Sequence, residues 1–123
     1  MAQDELFSLE ETGRVPEIIL LDYQCTLCSN GSGRGQWFAD PANSKRSFSE
    51  WIAQEQMRLW LLPLFSGKRV IMITARKVRW RDVTLRRIKE ATGGWLPDES
   101  FFNPDDALPP AHKQRVILND VFP

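Results

Sequence analysis

Ile18-Ile19-Leu20-Leu21 is a continuous apolar run, β-branched at its start and closed by Asp22. A run without polar alternation suits a strand covered on both faces, as in a parallel sheet. Val70-Ile71-Met72-Ile73, closed by Thr74, repeats the pattern. Between them, residues 28–47 are rich in Ser, Gly, Asn and Pro and predict a long excursion, a flap-like stretch that starts at residue 23. Ser47-Phe48-Ser49-Glu50 has the form of a capping box, and Trp51, Ile52, Glu55, Leu59 and Leu62 follow at helical spacing. One helix is therefore expected there, ending at Pro63 and Gly67. Asp82 is expected to cap another through about residue 92, with Val83, Leu85, Ile88 and Ala91 apolar and Gly93-Gly94 as the stop. Ser100-Phe101-Phe102 predicts a short third strand before a turn at Asn103-Pro104. Pro109-Pro110 opens a last helix containing Val116, Ile117 and Leu118. Residues 1–16 form a polar lead-in with little to bury.

Strands alternating with helices argue for an α/β fold around a parallel sheet with right-handed crossovers. The 123 residues suit one domain. A hydrophobic share of 42% with 26% charged residues excludes a disordered tail or a wholly basic nucleic-acid-coating protein. The chain has no apolar run of about 18 residues, so no membrane-spanning helix is expected. Met1-Ala2-Gln3-Asp4-Glu5 is acidic and unlike a secretory signal, and two cysteines cannot build a disulfide framework. A reducing, cytoplasmic setting is the expectation.

Charge alters this picture in one region. Lys+Arg and Asp+Glu are both 16, yet residues 67–92 hold nine of the basic residues against Asp82 and Glu90. That block is dense enough for an anionic partner. A solvated helix face behind a charged loop accounts for it slightly better.

In open α/β sheets, ligands bind outside the carboxyl ends of the strands. Asp22 and Thr74 both close strands at such an edge, and Lys113 near the start of the last helix supplies a cation if that helix begins nearby. A carboxylate, a hydroxyl and an ammonium on three elements are what in-line phosphoryl transfer uses: one group attacks, the others hold charge on the equatorial oxygens.

The segment Ile18-Ile19-Leu20-Leu21-Asp22-Tyr23-Gln24-Cys25-Thr26-Leu27 resembles the first motif of the haloacid dehalogenase superfamily, an apolar strand ending in Asp-x-Asp-x-Thr-(Leu/Val). Val70-Ile71-Met72-Ile73-Thr74-Ala75-Arg76 resembles its second motif, and Phe101-Phe102-Asn103-Pro104 through His112-Lys113 the approach to its third. Thr-Ala-Arg, a helix and then Phe-Phe-Asn-Pro are similar to the polynucleotide 3′-phosphatase and phage-type members. The resemblance spans residues 17–118. It implies a Rossmannoid three-layer sandwich, in minimal or truncated form. It also implies Asp22 as nucleophile, Thr74 and Lys113 as holders of the phosphoryl group, and Thr26, Ala75 and Arg76 at the substrate. Mg²⁺ would be bound by Asp22 and the backbone carbonyl of Gln24.

Two departures stand out. The family's second Asp, its general acid and base, is Gln24 here, and an amide cannot shuttle a proton; a loss of roughly 10²–10⁴-fold is the general expectation. The paired acidic residues of the fourth motif have no counterpart, since Asp120 follows Lys113 within what reads as one helix. The expected function is Mg²⁺-dependent removal of phosphate from a nucleotide or a nucleic-acid end. The rival is a catalytically degenerate domain that binds phosphate or a protein partner, or one part of a larger assembly.

Cys25-Thr26-Leu27-Cys28 has zinc or redox spacing, but His112 is the one further soft ligand, so two incidental flap cysteines are expected. Gly31-Ser32-Gly33-Arg34-Gly35 lies too far from the strand for a nucleotide loop and reads as flexible. Trp51 and Trp60 are expected in the core. Trp37, Trp80 and Trp95 fall in loops, where packing is favoured over base stacking; Trp80, flanked by Arg79 and Arg81, is the most suggestive.

Overall fold

The apolar runs do become strands. The computed structural model describes residues 17–104 and 109–121. It contains a three-stranded parallel sheet in the order β1-β2-β3, formed by β1 (Ile18–Leu21), β2 (Arg69–Lys77) and β3 (Glu99–Asn103). Ile19 lies opposite Val70, Leu21 opposite Met72, and Ile73 opposite Phe101. The helices are α1 (Arg34–Ala39), α2 (Phe48–Ile52), α3 (Arg81–Ala91) and α4 (Pro109–Arg115), the last continuing in wider π-helical turns over Val116–Val121. The polar lead-in expected for residues 1–16 lies outside the described residues.

Strand alternation sorts the core into two halves. Val70 and Met72 of β2 join Leu21, Phe102 and Ile88 of α3 on one face of the sheet. Ile71 and Ile73 join Val116 on the other, with Ile18, Phe101, Ile117 and Val121 packed around them. Helices thus cover both faces, an α/β sandwich compatible with a minimal Rossmannoid arrangement. Ile71, Met72 and Ile88 are fully buried, and each contributes roughly 1.5–3 kcal/mol through its apolar surface. β2 is buried on both faces, as its unbroken apolar run anticipates. β1 is less so: Leu20 is 43% exposed.

The long helix expected from Ser47 to Pro63 is two short pieces. Ser47 caps α2 in a full capping box, accepting from the Glu50 N–H while the Glu50 carboxylate accepts from the Ser47 N–H. That N–H bond is the main reason the Glu50 carboxyl titrates below its ordinary range. The helix stops at Ile52, and a separate 3₁₀ segment spans Leu59–Phe65 with Pro63 inside it. Between the two, the chain pairs with the flap: Ser29 N donates to Gln56 O at 2.8 Å and Arg58 N to Leu27 O at 2.8 Å. Continued helix would forfeit those bonds and carry Glu55 away from its buried partner. Trp60 is consequently exposed at 66%, against the expectation of a core residue, whereas Trp51 is buried.

The Gly-rich flap is also more ordered than its composition suggests. A 3₁₀ turn over Gly31–Gly33 leads into α1, whose Trp37 packs on Trp51 with ring centroids 5.6 Å apart. Trp95 stacks on Phe65 at 5.4 Å. β2 runs beyond Thr74 to Lys77, with its pairing to β3 irregular between Ile73 and Lys77. Among the described residues no helix is long and apolar enough to cross a membrane.

Candidate active site at the carboxyl edge of the sheet

Parallel pairing of Leu21 with Met72 brings Asp22 and Thr74 to the same edge on neighbouring strands. α4 packs against β2 and places Lys113 Nζ 3.3 Å from Asp22 Oδ1. Both side chains are partly exposed, at 38% for lysine and 42% for aspartate. An ion pair this open is worth no more than about 1 kcal/mol, so an incoming anion can draw Lys113 from Asp22 at little cost. Asp22 Oδ1 also accepts from the Tyr23 N–H at 2.9 Å. A cavity of about 160 Å³ opens here, bounded by Leu20, Asp22, Ile73, Lys113 and Ile117.

After Asp22 the chain makes one wide turn. Leu27 N donates to Asp22 O at 3.4 Å, and Cys28 N to Tyr23 O at 2.8 Å. Cys25 sits at φ 60°, a left-handed conformation uncommon for a side chain other than glycine or asparagine. The turn directs Tyr23 inward, where it is fully buried, and leaves Gln24 partly exposed. Gly31 lets Gln24 in: a Cβ there would lie 2.9 Å from Gln24 Oε1. Both cysteines are free thiols, Cys25 exposed and Cys28 buried; burial, then the nearby Glu55 charge, pushes the Cys28 thiol up.

Thr74 is fully buried, and its Oγ1 accepts from the Arg76 N–H at 3.1 Å, a local bond that occupies the irregular stretch of β2. Ala75 is half-buried and borders a second cavity together with Gln24. Thr26 is exposed, its carbonyl accepting from Arg58 Nε at 2.9 Å.

Arg76 lies apart from this open edge. It is 5% exposed, and its two terminal nitrogens donate to Glu55 at 2.8 and 2.5 Å. One of them also reaches Thr84 Oγ1 at 3.1 Å. Tyr23 Oη donates to Glu55 Oε1 at 2.7 Å, and the guanidinium lies 4.9 Å from the Tyr23 ring centroid. Burial works against the Arg76 charge, but the Glu55 carboxylate more than offsets it and the guanidinium is held protonated. Burial, then the Glu55 charge, raises the Tyr23 hydroxyl far above its ordinary range, so it remains a donor. The cluster locks the turn after β1, the end of α2 and β2 into one unit, with Arg87 Nε adding a bond to Glu55 O at 2.8 Å.

Sequence reasoning assigned Glu55 to a helix face and set His112 aside; both are buried polar residues that tie separate elements together. His112 is 1% exposed, its ring beside the main chain of Thr74 and Phe101. Arg115 Nη2 lies 3.4 Å from its Nδ1. Burial holds its pKa below the ordinary histidine value, partly opposed by those main-chain groups. The buried ring seats α4 against the sheet, one residue before Lys113. The signals were a glutamate among apolar positions and a lone histidine next to a lysine.

Among the described residues no three His, Cys, Asp or Glu side chains gather into a ligand cluster. The hard oxygens at the edge are the Asp22 carboxylate and the peptide carbonyls of the turn. That donor set fits Mg²⁺, which keeps several waters and leans on one or two carboxylates plus substrate phosphate. Compared with family models, curated proteins and solved structures, the chain matches none of them.

Proposed function

We propose that this chain is a minimal haloacid-dehalogenase-like phosphohydrolase that removes phosphate from a nucleotide or a nucleic-acid end in a reducing, cytoplasmic setting. The observation that carries the reading is the meeting of Asp22 and Lys113 at 3.3 Å at the carboxyl edge of a parallel sheet, with Thr74 on the neighbouring strand. A carboxylate oxygen of Asp22 attacks phosphorus as the bond to the leaving oxygen breaks, giving an aspartyl-phosphate and an alkoxide. Lys113 moves from Asp22 to the phosphoryl oxygens, and the Thr74 hydroxyl and nearby main chain hold the group in line. The Asp22 carboxylate and the Gln24 carbonyl would hold Mg²⁺, which supplies charge neutralisation on the phosphate. Gln24 carries no transferable proton, so the alkoxide is protonated by solvent. Water then attacks the aspartyl-phosphate without a general base, and that step is slow.

The second reading has its own observation. Gln24 in place of a carboxylate, and no cluster of three ligands among the described residues, favour a domain that binds phosphate and turns over little. Mg²⁺-dependent turnover of an aryl phosphate by wild type and by Asp22→Asn separates the two. Wild-type turnover abolished in Asp22→Asn supports the enzyme. Saturable phosphate binding with no turnover in either supports the binder.

A further inference from the structure

A second cavity begins two residues beyond Asp22. Gln24 and Ala75, the neighbours of the candidate nucleophile and of Thr74, form one part of its wall. The remainder is of a different chemistry. Arg34 from α1, with Lys77 and Arg79 from the end of β2 and the following turn, brings three cations to it beside the buried Arg76, which is paired with Glu55. All three are exposed, and among the described residues none is paired with a carboxylate. No acidic residue lines the cavity. Phe48 and Trp80 supply two rings, their centroids 4.9 Å apart and tilted by 53°. Arg34 and Arg76 lie 5.6 and 5.2 Å from the Phe48 centroid, and Arg79 5.8 Å from that of Trp80. The volume, about 440 Å³, falls in the range of sites that hold a small organic ligand.

We infer that this cavity is a single-strand subsite, in which an unpaired base stacks on Trp80 while successive phosphates contact Arg34, Lys77 and Arg79. Rings ask for a flat π-surface, and three separate unneutralised cations ask for more than one phosphate. A single-stranded nucleic acid offers both along one backbone, whereas a duplex hides its base faces. The inference deepens the phosphohydrolase reading and rests on it in one respect: Gln24 and Ala75 join the subsite to the Asp22 edge, so a strand held here has its terminal phosphate presented to Asp22. It also gives the flap a purpose, because Arg34 reaches the cavity from it.

The test is titration of a fluorescein-labelled, 3′-phosphorylated single-stranded oligodeoxynucleotide by fluorescence anisotropy, using Asp22→Asn so that no chemistry intervenes. Trp80→Leu should weaken binding roughly 5- to 150-fold, the value of one stacked base. Three phosphate contacts predict a log–log salt slope near −2, from about 0.7 per contact on a single strand. Lys77→Gln and Arg79→Gln, both at exposed positions, should each reduce that slope by about 0.7 while leaving the circular dichroism spectrum unchanged. Equal affinity for a blunt duplex, for a nucleoside monophosphate, or for an abasic oligonucleotide would overturn the assignment, as would unchanged binding in the charge variants. If binding fails while wild type still hydrolyses aryl phosphates, the subsite falls and the phosphohydrolase stands. If the oligonucleotide binds as described while turnover is absent, the subsite stands and the hydrolase reading falls.

Discussion

Glu55→Gln removes one charge from a buried pair while preserving side-chain size. Arg76 and Glu55 side chains are 1% and 0% exposed, so the variant leaves a guanidinium in the interior without its counter-charge. Breaking such a pair costs about 3–5 kcal/mol. The Gln amide keeps one oxygen, able to accept from Arg76 or from Tyr23 Oη but turning an N–H₂ toward whichever donor remains. The lower half of that range, about 3–4 kcal/mol, is therefore expected. A domain of this size has roughly 5–15 kcal/mol in all, so the variant folds but is markedly weakened. With a urea m-value of about 1–3 kcal/mol/M, the midpoint falls by roughly 1–4 M, read by circular dichroism. A cycle with Glu55→Leu and Arg76→Met sharpens the test. Each single variant strands a charge, whereas the double variant strands only the Tyr23 and Thr84 hydroxyls, at about 1–3 kcal/mol apiece. The double variant should be less destabilised than the sum of the singles by more than about 2 kcal/mol. A Glu55→Gln loss below about 1 kcal/mol, or singles that add within about 0.5 kcal/mol, would refute the idea that this pair locks the segment after α2 to β2.

Other outcomes follow from single contacts. Ser47→Ala removes the side-chain half of the capping box and should cost about 1 kcal/mol, measured by the same urea titration. His112 is buried and its folded pKa lies below the unfolded value of 6.5, so the unfolded chain binds the extra proton. Its contribution is therefore fully present above that value and is lost as pH falls from about 6.5 toward the folded pKa; in His112→Phe that segment of the stability–pH curve should flatten. Gly31→Ala should alter stability by less than about 1 kcal/mol, because the atom in its way is the far end of the flexible Gln24 side chain, but its crystal structure should show that side chain displaced. Gln24→Asp should raise kcat, by up to roughly 10²-fold, on aryl and alkyl phosphates alike, since it restores a base for the hydrolysis step that both share and a proton donor for the alkyl leaving group.

The sheet was legible because its strands are short apolar runs bounded by polar residues, and the parallel order follows from the helical patterns between them. The capping box at Ser47 was legible because it is local. The end of α2 was not: Glu55 fits a helix by spacing, and what draws it out is Arg76, 21 positions away, together with Tyr23, 32 positions away. No window along the chain contains that pair. α1 was hidden for a related reason, since Gly31, Gly33 and Gly35 argue against a helix and only the packing of Trp37 on Trp51 favours one. At the site, Asp22, Thr74 and Lys113 could be singled out from strand ends and motif order. The burial of Arg76 could not, because a basic residue after a strand reads as exposed until its partner is known.

The central claim is that Asp22 accepts a phosphoryl group, and Gln24 makes it directly measurable. Without a general base at that position the aspartyl-phosphate should form faster than it is hydrolysed, and so accumulate. Wild-type protein incubated with Mg²⁺ and an aryl phosphate, quenched in acid and examined by intact and peptide mass spectrometry, should gain the mass of one HPO₃ group on the peptide containing Asp22. Asp22→Asn should gain none, and Gln24→Asp should show a smaller steady-state fraction because its intermediate is hydrolysed faster. A wild-type protein that gains no phosphoryl group at any aryl phosphate concentration, or one that gains it equally in Asp22→Asn, would contradict the account.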